Sequence, residues 1–259
     1  MDILSSKADG ILTIEFNRPD RKNAITSAMY QSMAEAIVDG EQDGAVRAIL
    51  IIGKSEIFTA GNDLDDFMKS SRPQDGVAIE DRPVYRFMLA LSGAKKPVVA
   101  AVAGAAVGIG TTLLMHCDLV YAADNAKFSM PFVQLGLCPE FASSLLLAQI
   151  AGYPRAAEKL MLGEAFLAQE ALDMGLVSKV LPIDELLPFA LRQAAKLVAL
   201  PASSVRATKQ LMKAGRNGAI SQQMVDENKF FGAMLAAPEA KEAFTAFFEK
   251  RKPDFSKFA

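Results

Sequence analysis

The sequence predicts an α/β core that gives way to a helical C-terminal region. Three observations carry this expectation. Up to about residue 140, short β-rich runs alternate with segments of helical spacing. Two of those runs, 47–53 and 97–103, are almost continuously apolar, as strands of a sheet buried on both faces are. Beyond residue 140, helical spacing dominates and only one short β-like run, SKVL at 178–181, interrupts it.

Each element has a local reason. ILTIEFN (11–17) is rich in β-branched and aromatic residues. Thr26 or Ser27 can cap a helix carrying Met29, Met33 and Ile37, and Gly40 ends it. RAILIIG (47–53) follows as a buried strand, then a loop at 54–62. Residues 69–82 (KSSRPQDGVAIEDR) are polar and are the expected mobile segment. Pro83 opens a helix with Val84, Phe87, Met88 and Leu91 on one face, stopped near Gly93. A strand is expected at 97–103, a helix from about 108 and a strand at 118–123. Further helices are expected at 141–151, 154–162, 168–174, 183–199, 202–215, 218–236 and 239–250, with Pro201 and Pro238 at junctions.

Composition removes several classes of function. The chain has 259 residues, 51% hydrophobic and 22% charged, enough to bury a large core without a disulfide or metal staple. Lys+Arg is 28 and Asp+Glu is 30, a net charge of −2, which argues against nucleic acid and against anionic membranes as partners. Two cysteines, Cys117 and Cys138, and one histidine, His116, give neither a disulfide framework nor a zinc site. A Ser-His-Asp hydrolase would have to use His116. The opening MDILSSKADG is interrupted by Asp2, Lys7 and Asp9 and does not read as a signal or transit peptide, and SKFA is not a peroxisomal tripeptide; a cytoplasmic location is expected.

The uncharged stretch at 97–115, PVVAAVAGAAVGIGTTLLM, has nineteen residues and approaches the length of a membrane span. Its β-rich first half and its cluster of Gly108, Gly110, Thr111 and Thr112 read instead as a buried strand, a tight loop and a helix start.

Three segments can carry chemistry. In Gly104-Ala-Ala-Val-Gly108-Ile-Gly110-Thr-Thr, Leu113 stands where a dinucleotide fingerprint needs its third small residue, and no Lys-Ser/Thr follows to make a P-loop. The turn fits either close packing of a helix on a sheet or a set of free N–H groups aimed at an anion or developing oxyanion. In Phe58-Thr-Ala-Gly61-Asn-Asp63-Leu64, Gly61 permits an unusual backbone angle and Asp63 can cap a following helix. In Leu135-Gly-Leu-Cys138-Pro-Glu140-Phe-Ala-Ser143-Ser144, a lone carboxylate lies among apolar neighbours. It is either a solvated helix-start glutamate or a desolvated group with the raised pKa of a proton shuttle. His116 and Cys138 read as packed residues, Met29 and Met33 as core, and the EKRKPDF tail (249–255) as a solvated basic end or a phosphate contact.

In order along the chain, these motifs resemble the crotonase superfamily, the enoyl-CoA hydratase/isomerase family. The matching residues are Asn17-Arg18-Pro19 with Asn23-Ala24, FTAGNDL, KKPVVAAVAGAAVGIG, Cys117-Asp118-Leu119-Val120-Tyr121-Ala122, Ala126-Lys127-Phe128, FVQLGLCPE, AAEKLMLGE, Ala168-Gln169-Glu170-Ala171 with Gly175-Leu176-Val177, and FFEKR. The resemblance implies a crotonase (ClpP-like) fold, a repeated ββα superhelix. Residues 1–199 would be the core holding an acyl-CoA site, and 200–259 a helical trimerisation region. It implies a homotrimer or a dimer of trimers, an acyl-CoA thioester substrate, and no cofactor beyond the CoA of that substrate. It implies that the main-chain N–H groups of Asn62 and Ile109 hold an enolate oxygen. Ala60, Gly61, Asn62, Asp63 and Leu64 would lie along CoA, joined by Phe231 and Lys250.

Departures from the family pattern select the reaction. The hydratases' two glutamates would sit at Thr112 and Phe132, and neither is acidic here. The Δ3,Δ2-enoyl-CoA isomerase branch of peroxisomal type instead carries one glutamate in an L-G-x-x-x-E segment, matched by Leu135 to Glu140; the AVGI turn and Ser143-Ser144 also resemble that branch. The resemblance thus implies isomerisation of a 3-enoyl-CoA with Glu140 as single acid/base. The alternatives are an enoyl-CoA hydratase of fatty-acid degradation, or a hydratase-like enzyme using Glu140 alone, and a non-catalytic acyl-CoA-binding homologue.

Overall fold

The computed structural model describes residues 1–53, 57–70 and 78–258. Strands β1 (Ile3–Ala8) and β2 (Ile11–Phe16) form an antiparallel hairpin turned by Asp9 and Gly10, both at positive φ. Sequence patterning did not show β1, because only Ile3 of its residues is buried; the Asp-Gly dipeptide was the available signal. Helix α1 (Ser27–Gln42) follows, capped by the Thr26 hydroxyl, which accepts from Met29 N–H. A cap of this kind contributes ~1 kcal/mol. Then come β3 (Ala48–Gly53), α2 (Leu64–Ser70), α3 (Pro83–Ser92), β4 (Val98–Val102), β5 (Ala105–Val107) and α4 (Ile109–Thr112). After β6 (Leu119–Ala123) and β7 (Lys127–Ser129) the chain enters α5 (Ser143–Ala151) and α6 (Tyr153–Leu162). Next are β8 (Phe166–Leu167), α7 (Ala168–Met174) and β9 (Lys179–Leu181). Four helices close the chain: α8 (Ile183–Ala199), α9 (Ala202–Ala214), α10 (Asn217–Leu235) and α11 (Pro238–Phe248).

A six-stranded sheet has the order β1-β2-β3-β4-β6-β9 and is parallel from β2 onward. A second, three-stranded sheet has the order β5-β7-β8. The chain steps from the first sheet to the second twice, from β4 to β5 and from β6 to β7. A third step is marked by the bridge between Thr59, just after β3, and Ala106 of β5. These repeated strand pairs are the ββ parts of the expected superhelix.

Alternate residues of the large sheet enter different cores. Ile49, Ile51, Val98 and Ala100 face the main core, while Leu50, Val99, Ala101 and Tyr121 face a second core under Leu186, Ala190 and Ala194 of α8. Burial on both faces is why these strands are continuously apolar. Met29 and Met33 are core residues, as expected. Ile220, Met224, Ala240 and Phe244, from the helices beyond residue 199, join the main core.

The stretch 97–115 holds β4, β5, α4 and a 3₁₀ turn at Leu113–His116, so the helix expected from about 108 shortens to one α-turn. Among the described residues, no helix is long and apolar enough to cross a membrane. Of the segment 69–82 expected to be mobile, 71–77 lie outside the described residues; 69–70 end α2 and Ile79–Asp81 form a 3₁₀ turn.

Candidate active site

Two of the sequence-selected segments meet where the chain leaves the small sheet. Thr59 N–H donates to Ala105 O at 2.9 Å, and Val107 N–H donates to Thr59 O at 3.0 Å. The backbones then approach so closely that a Cβ on Gly61 would lie 2.7 Å from Val107 O, and one on Gly110 would lie 2.5 Å from the Thr59 methyl. Gly61 also sits at φ +85. Gly108, at φ 55 and ψ −118, starts α4 with a conformation closed to most side chains. Asn62 and Ile109 immediately follow these turns. Among the described residues the backbone N–H of neither donates to a protein acceptor. Both residues line one groove of about 980 Å³, together with Ala60, Gly61, Asp63 and Leu64.

The motif at 17–24 anchors this loop. Arg18 Nη1 donates to Asp63 Oδ2 at 2.8 Å and to Ala24 O at 2.9 Å. Asn23, fully buried, donates from Nδ2 to Ile57 O at 2.7 Å, and its carbonyl accepts from the Thr59 hydroxyl at 2.6 Å. Asp63 is therefore an anchor and a cap: its Oδ1 accepts from Asp66 N–H at 3.1 Å at the start of α2. Burial pushes the Asp63 carboxyl upward, but the Arg18 guanidinium and the Asp66 amide outweigh it and hold it below the usual carboxylate range.

Glu140 faces a second cavity, of about 320 Å³, walled by Tyr30, Asn62, Phe67, Met88, Met224 and Phe231 among others. Asn62, Phe67 and Phe231 border both spaces, so the groove and the cavity share a boundary at these three residues. Among the described residues, three carboxylates face the cavity: Asp66, Glu140 and Glu227. Asp66 accepts from Ser27 N–H at 2.8 Å and from the Ser27 hydroxyl at 2.7 Å. Glu227 accepts from Ala142 N–H at 2.6 Å and Ser144 N–H at 3.0 Å. Only Glu140 keeps a buried oxygen, Oε1, without a hydrogen-bond partner. Burial, reinforced by the charge of Glu227 and opposed by the Thr112 hydroxyl, pushes the Glu140 carboxyl up to about 8. Such a carboxyl can take and return a proton near neutral pH.

Phe132 lines the groove and Thr112 lies beside Glu140, so neither supplies a second acid. Phe231 touches Phe67 edge-on at 6.1 Å and lines both spaces. Lys250 is exposed and is not among the described groove residues, whose cations are Arg21, Arg251 and Lys252. His116 is buried, stacks on Phe141 at 3.8 Å and lies with Nε2 2.8 Å from Phe141 O. Burial brings it down to about 3, so it stays neutral. Burial raises the Cys138 thiol to about 11, which removes it as a nucleophile. Sequence reasoning missed Tyr30, Asp66 and Glu227, each an ordinary polar residue on a helix with no local motif to mark it.

The chain is similar to several known proteins. A family model described as "Enoyl-CoA hydratase/isomerase" matches residues 6–257. A protein of Escherichia coli (strain K12) named "2,3-dehydroadipyl-CoA hydratase" is 30% identical over 98% of this chain and 98% of its own length. A Rattus norvegicus protein named "Enoyl-CoA delta isomerase 2" is 34% identical over 97% of this chain and 64% of its own. The crystal structure of an enoyl-CoA hydratase/isomerase from Pseudoalteromonas atlantica T6c superposes with a TM-score of 0.92 at 38% identity, covering 98% of this chain and 100% of that one.

Proposed function

Because the chain belongs to the enoyl-CoA hydratase/isomerase family and has its crotonase fold, we propose that it is a Δ3,Δ2-enoyl-CoA isomerase with Glu140 as its single acid/base. The observation that carries this reading is the state of the three cavity carboxylates. Two are consumed by hydrogen bonds to serine and backbone groups, and one, Glu140, keeps its buried oxygen Oε1 without a partner.

In this mechanism the groove takes the CoA portion of a 3-enoyl thioester, and the cavity takes the acyl chain. Arg21 and Lys252 line the groove and can meet phosphates, whereas Arg251, also there, is paired with Glu242 and Glu249; Phe231 stands at the junction. The thioester oxygen meets the N–H groups of Asn62 and Ile109. Glu140 removes a proton from C2; negative charge develops on the thioester oxygen and is held by the two donors. Glu140 then returns the proton to C4, and the double bond moves into conjugation. No water and no second carboxylate enter this scheme, and no cofactor is used beyond the CoA of the substrate. The exposed Leu211, Phe230, Phe247 and Phe248 on α9, α10 and the end of α11 support the expected trimer or dimer of trimers, with residues 200–259 at the contacts.

The relatives' names divide between hydratase and isomerase, so water addition using Glu140 alone is the second reading. Incubation with a 3-enoyl-CoA, followed by ultraviolet absorbance and product analysis, separates them. The isomerase reading expects a fast rise of conjugated 2-enoyl thioester. No rise across short, medium and long chains overturns it, and a 3-hydroxyacyl-CoA formed from a 2-enoyl-CoA at a faster rate favours hydration.

A further inference from the structure

The segment that carries Glu140 is held in an unfavourable backbone conformation. Phe141 and Ala142 are both left-handed, at φ 60 and 55, and neither is glycine. Left-handed conformations are unfavourable for such residues, so they persist only where surrounding contacts determine them. Helix α5 begins at the next residue and has no cap from its own N-cap side chain, Ala142. The missing acceptor comes from α10. Glu227, buried on that helix, takes Ala142 N–H at 2.6 Å, Ser144 N–H at 3.0 Å and the Ser144 hydroxyl. Gln223, one turn earlier, donates to the same Ser144 hydroxyl at 2.8 Å. On the other side His116 fixes Phe141 by ring stacking and by its bond to Phe141 O.

We propose that Glu227 is the positioning residue for Glu140: its carboxylate clamps the backbone at Ala142 and Ser144 and thereby aims the Glu140 side chain into the acyl cavity. The inference rests on Glu140 as the acid/base group of the reading above. It assigns a role to a residue that shares no local motif with Glu140 and lies on a helix remote from it in sequence.

The clamp also has an electrostatic side. Among the described residues, the titratable and charged groups around Glu140 are Tyr30 on α1, Asp66 on α2, Arg82 and Tyr85 at the start of α3, the Cys138 thiol and Glu227 on α10, with the Thr112 hydroxyl on α4 beside it. Burial raises Glu227 as well. Its carboxylate has three donors where Glu140 Oε1 has none, so Glu227 ionises first and its charge opposes ionisation of Glu140.

The test is infrared difference titration of the protein without substrate, in which the band lost in Glu140→Gln reports the protonated Glu140 carboxyl. In Glu227→Gln one amide nitrogen replaces a carboxylate oxygen, so it meets the N–H donors of the clamp with another donor and removes the charge. The Glu140 midpoint is expected to fall below its wild-type value near 8, and kcat to fall ~10-fold with KM changed less than about twofold. Glu227→Asp, which keeps the charge, is expected to retain a midpoint close to wild type. An unchanged midpoint and unchanged kcat in folded Glu227→Gln overturns the proposal. If that variant does not fold, Ser144→Ala weakens the clamp alone: a roughly threefold fall in kcat supports the proposal and an unchanged kcat overturns it. A midpoint that moves in a protein that isomerises no 3-enoyl-CoA supports the clamp and overturns the isomerase reading.

Discussion

The buried Tyr30 hydroxyl donates a 2.5 Å hydrogen bond to Asn62 Oδ1, linking α1 to a residue that borders both groove and cavity. Burial, with the charges of Glu140 and Asp66 adding to it, raises the Tyr30 phenol well above its ordinary value, so it stays a donor at any working pH. The bond ties the Asn62 side chain to a rigid helix and so fixes the direction of the Asn62 amide. Tyr30→Phe removes only this hydroxyl. A neutral hydrogen bond contributes about 1 kcal/mol, so kcat/KM is expected to fall roughly 5- to 10-fold while the circular dichroism spectrum is retained. An unchanged kcat/KM would mean that the amide is aimed without Tyr30.

Glu140→Gln keeps the shape of the side chain and removes its ability to accept a proton. Turnover is expected to fall at least ~10²-fold, the usual contribution of a general base. In the wild type, kcat/KM reports the free enzyme, where the Glu140 carboxyl is raised to about 8. The rate is therefore expected to climb with pH along an acidic limb centred near that value. A near-normal rate in the variant would remove Glu140 from the mechanism.

The same substitution is expected to stabilise the fold. Below the ordinary glutamate value of 4.5 both folded and unfolded chains hold the proton, so ionisation of Glu140 has no effect on stability. Between 4.5 and about 8 the unfolded chain ionises first, and folded stability declines. Above about 8 the folded protein bears the full cost of a buried charge. Glu140→Gln has no such cost, so its advantage in urea unfolding should grow from pH 4.5 to pH 8 and then level off at a few kcal/mol at most. A constant difference across that range would contradict the assigned burial of the carboxyl.

Gly61 is required by both its backbone angle and its distance from the small sheet. Gly61→Ala would place a methyl 2.7 Å from Val107 O at φ +85. The cost is expected to reach about 2 kcal/mol, a fall in Tm of roughly 4–8 °C. Displacing the loop should also move the Asn62 N–H and lower kcat ~10-fold or more. Gly44→Ala is the control, since nothing lies within 4 Å of its added methyl; its Tm should stay within about 2 °C of wild type.

The turns around the site were legible in sequence because they depend on backbone, and their proposed chemistry was expected from the family resemblance. Gly61, Gly108 and Gly110 are needed for close approach and for a turn, and those demands show as glycines at fixed places after apolar runs. Glu140 was visible because it is a lone carboxylate in an apolar segment. Strands buried on both faces announced themselves as continuous apolar runs, whereas β1, with five exposed residues, and the two- and three-residue strands of the small sheet carried too little pattern to be seen.

Neighbouring residues were enough to place the strand–turn–helix elements and to offer Glu140 as a lone carboxylate, while the amides of Asn62 and Ile109 were expected from the family resemblance. Which carboxylates are occupied depends on the tertiary packing. Asp66 is taken by Ser27, thirty-nine residues away, and Glu227 by Ala142 and Ser144, more than eighty residues away. Such pairings depend on which helices pack together, and an amphipathic helix shows which face it buries without showing what will lie against that face.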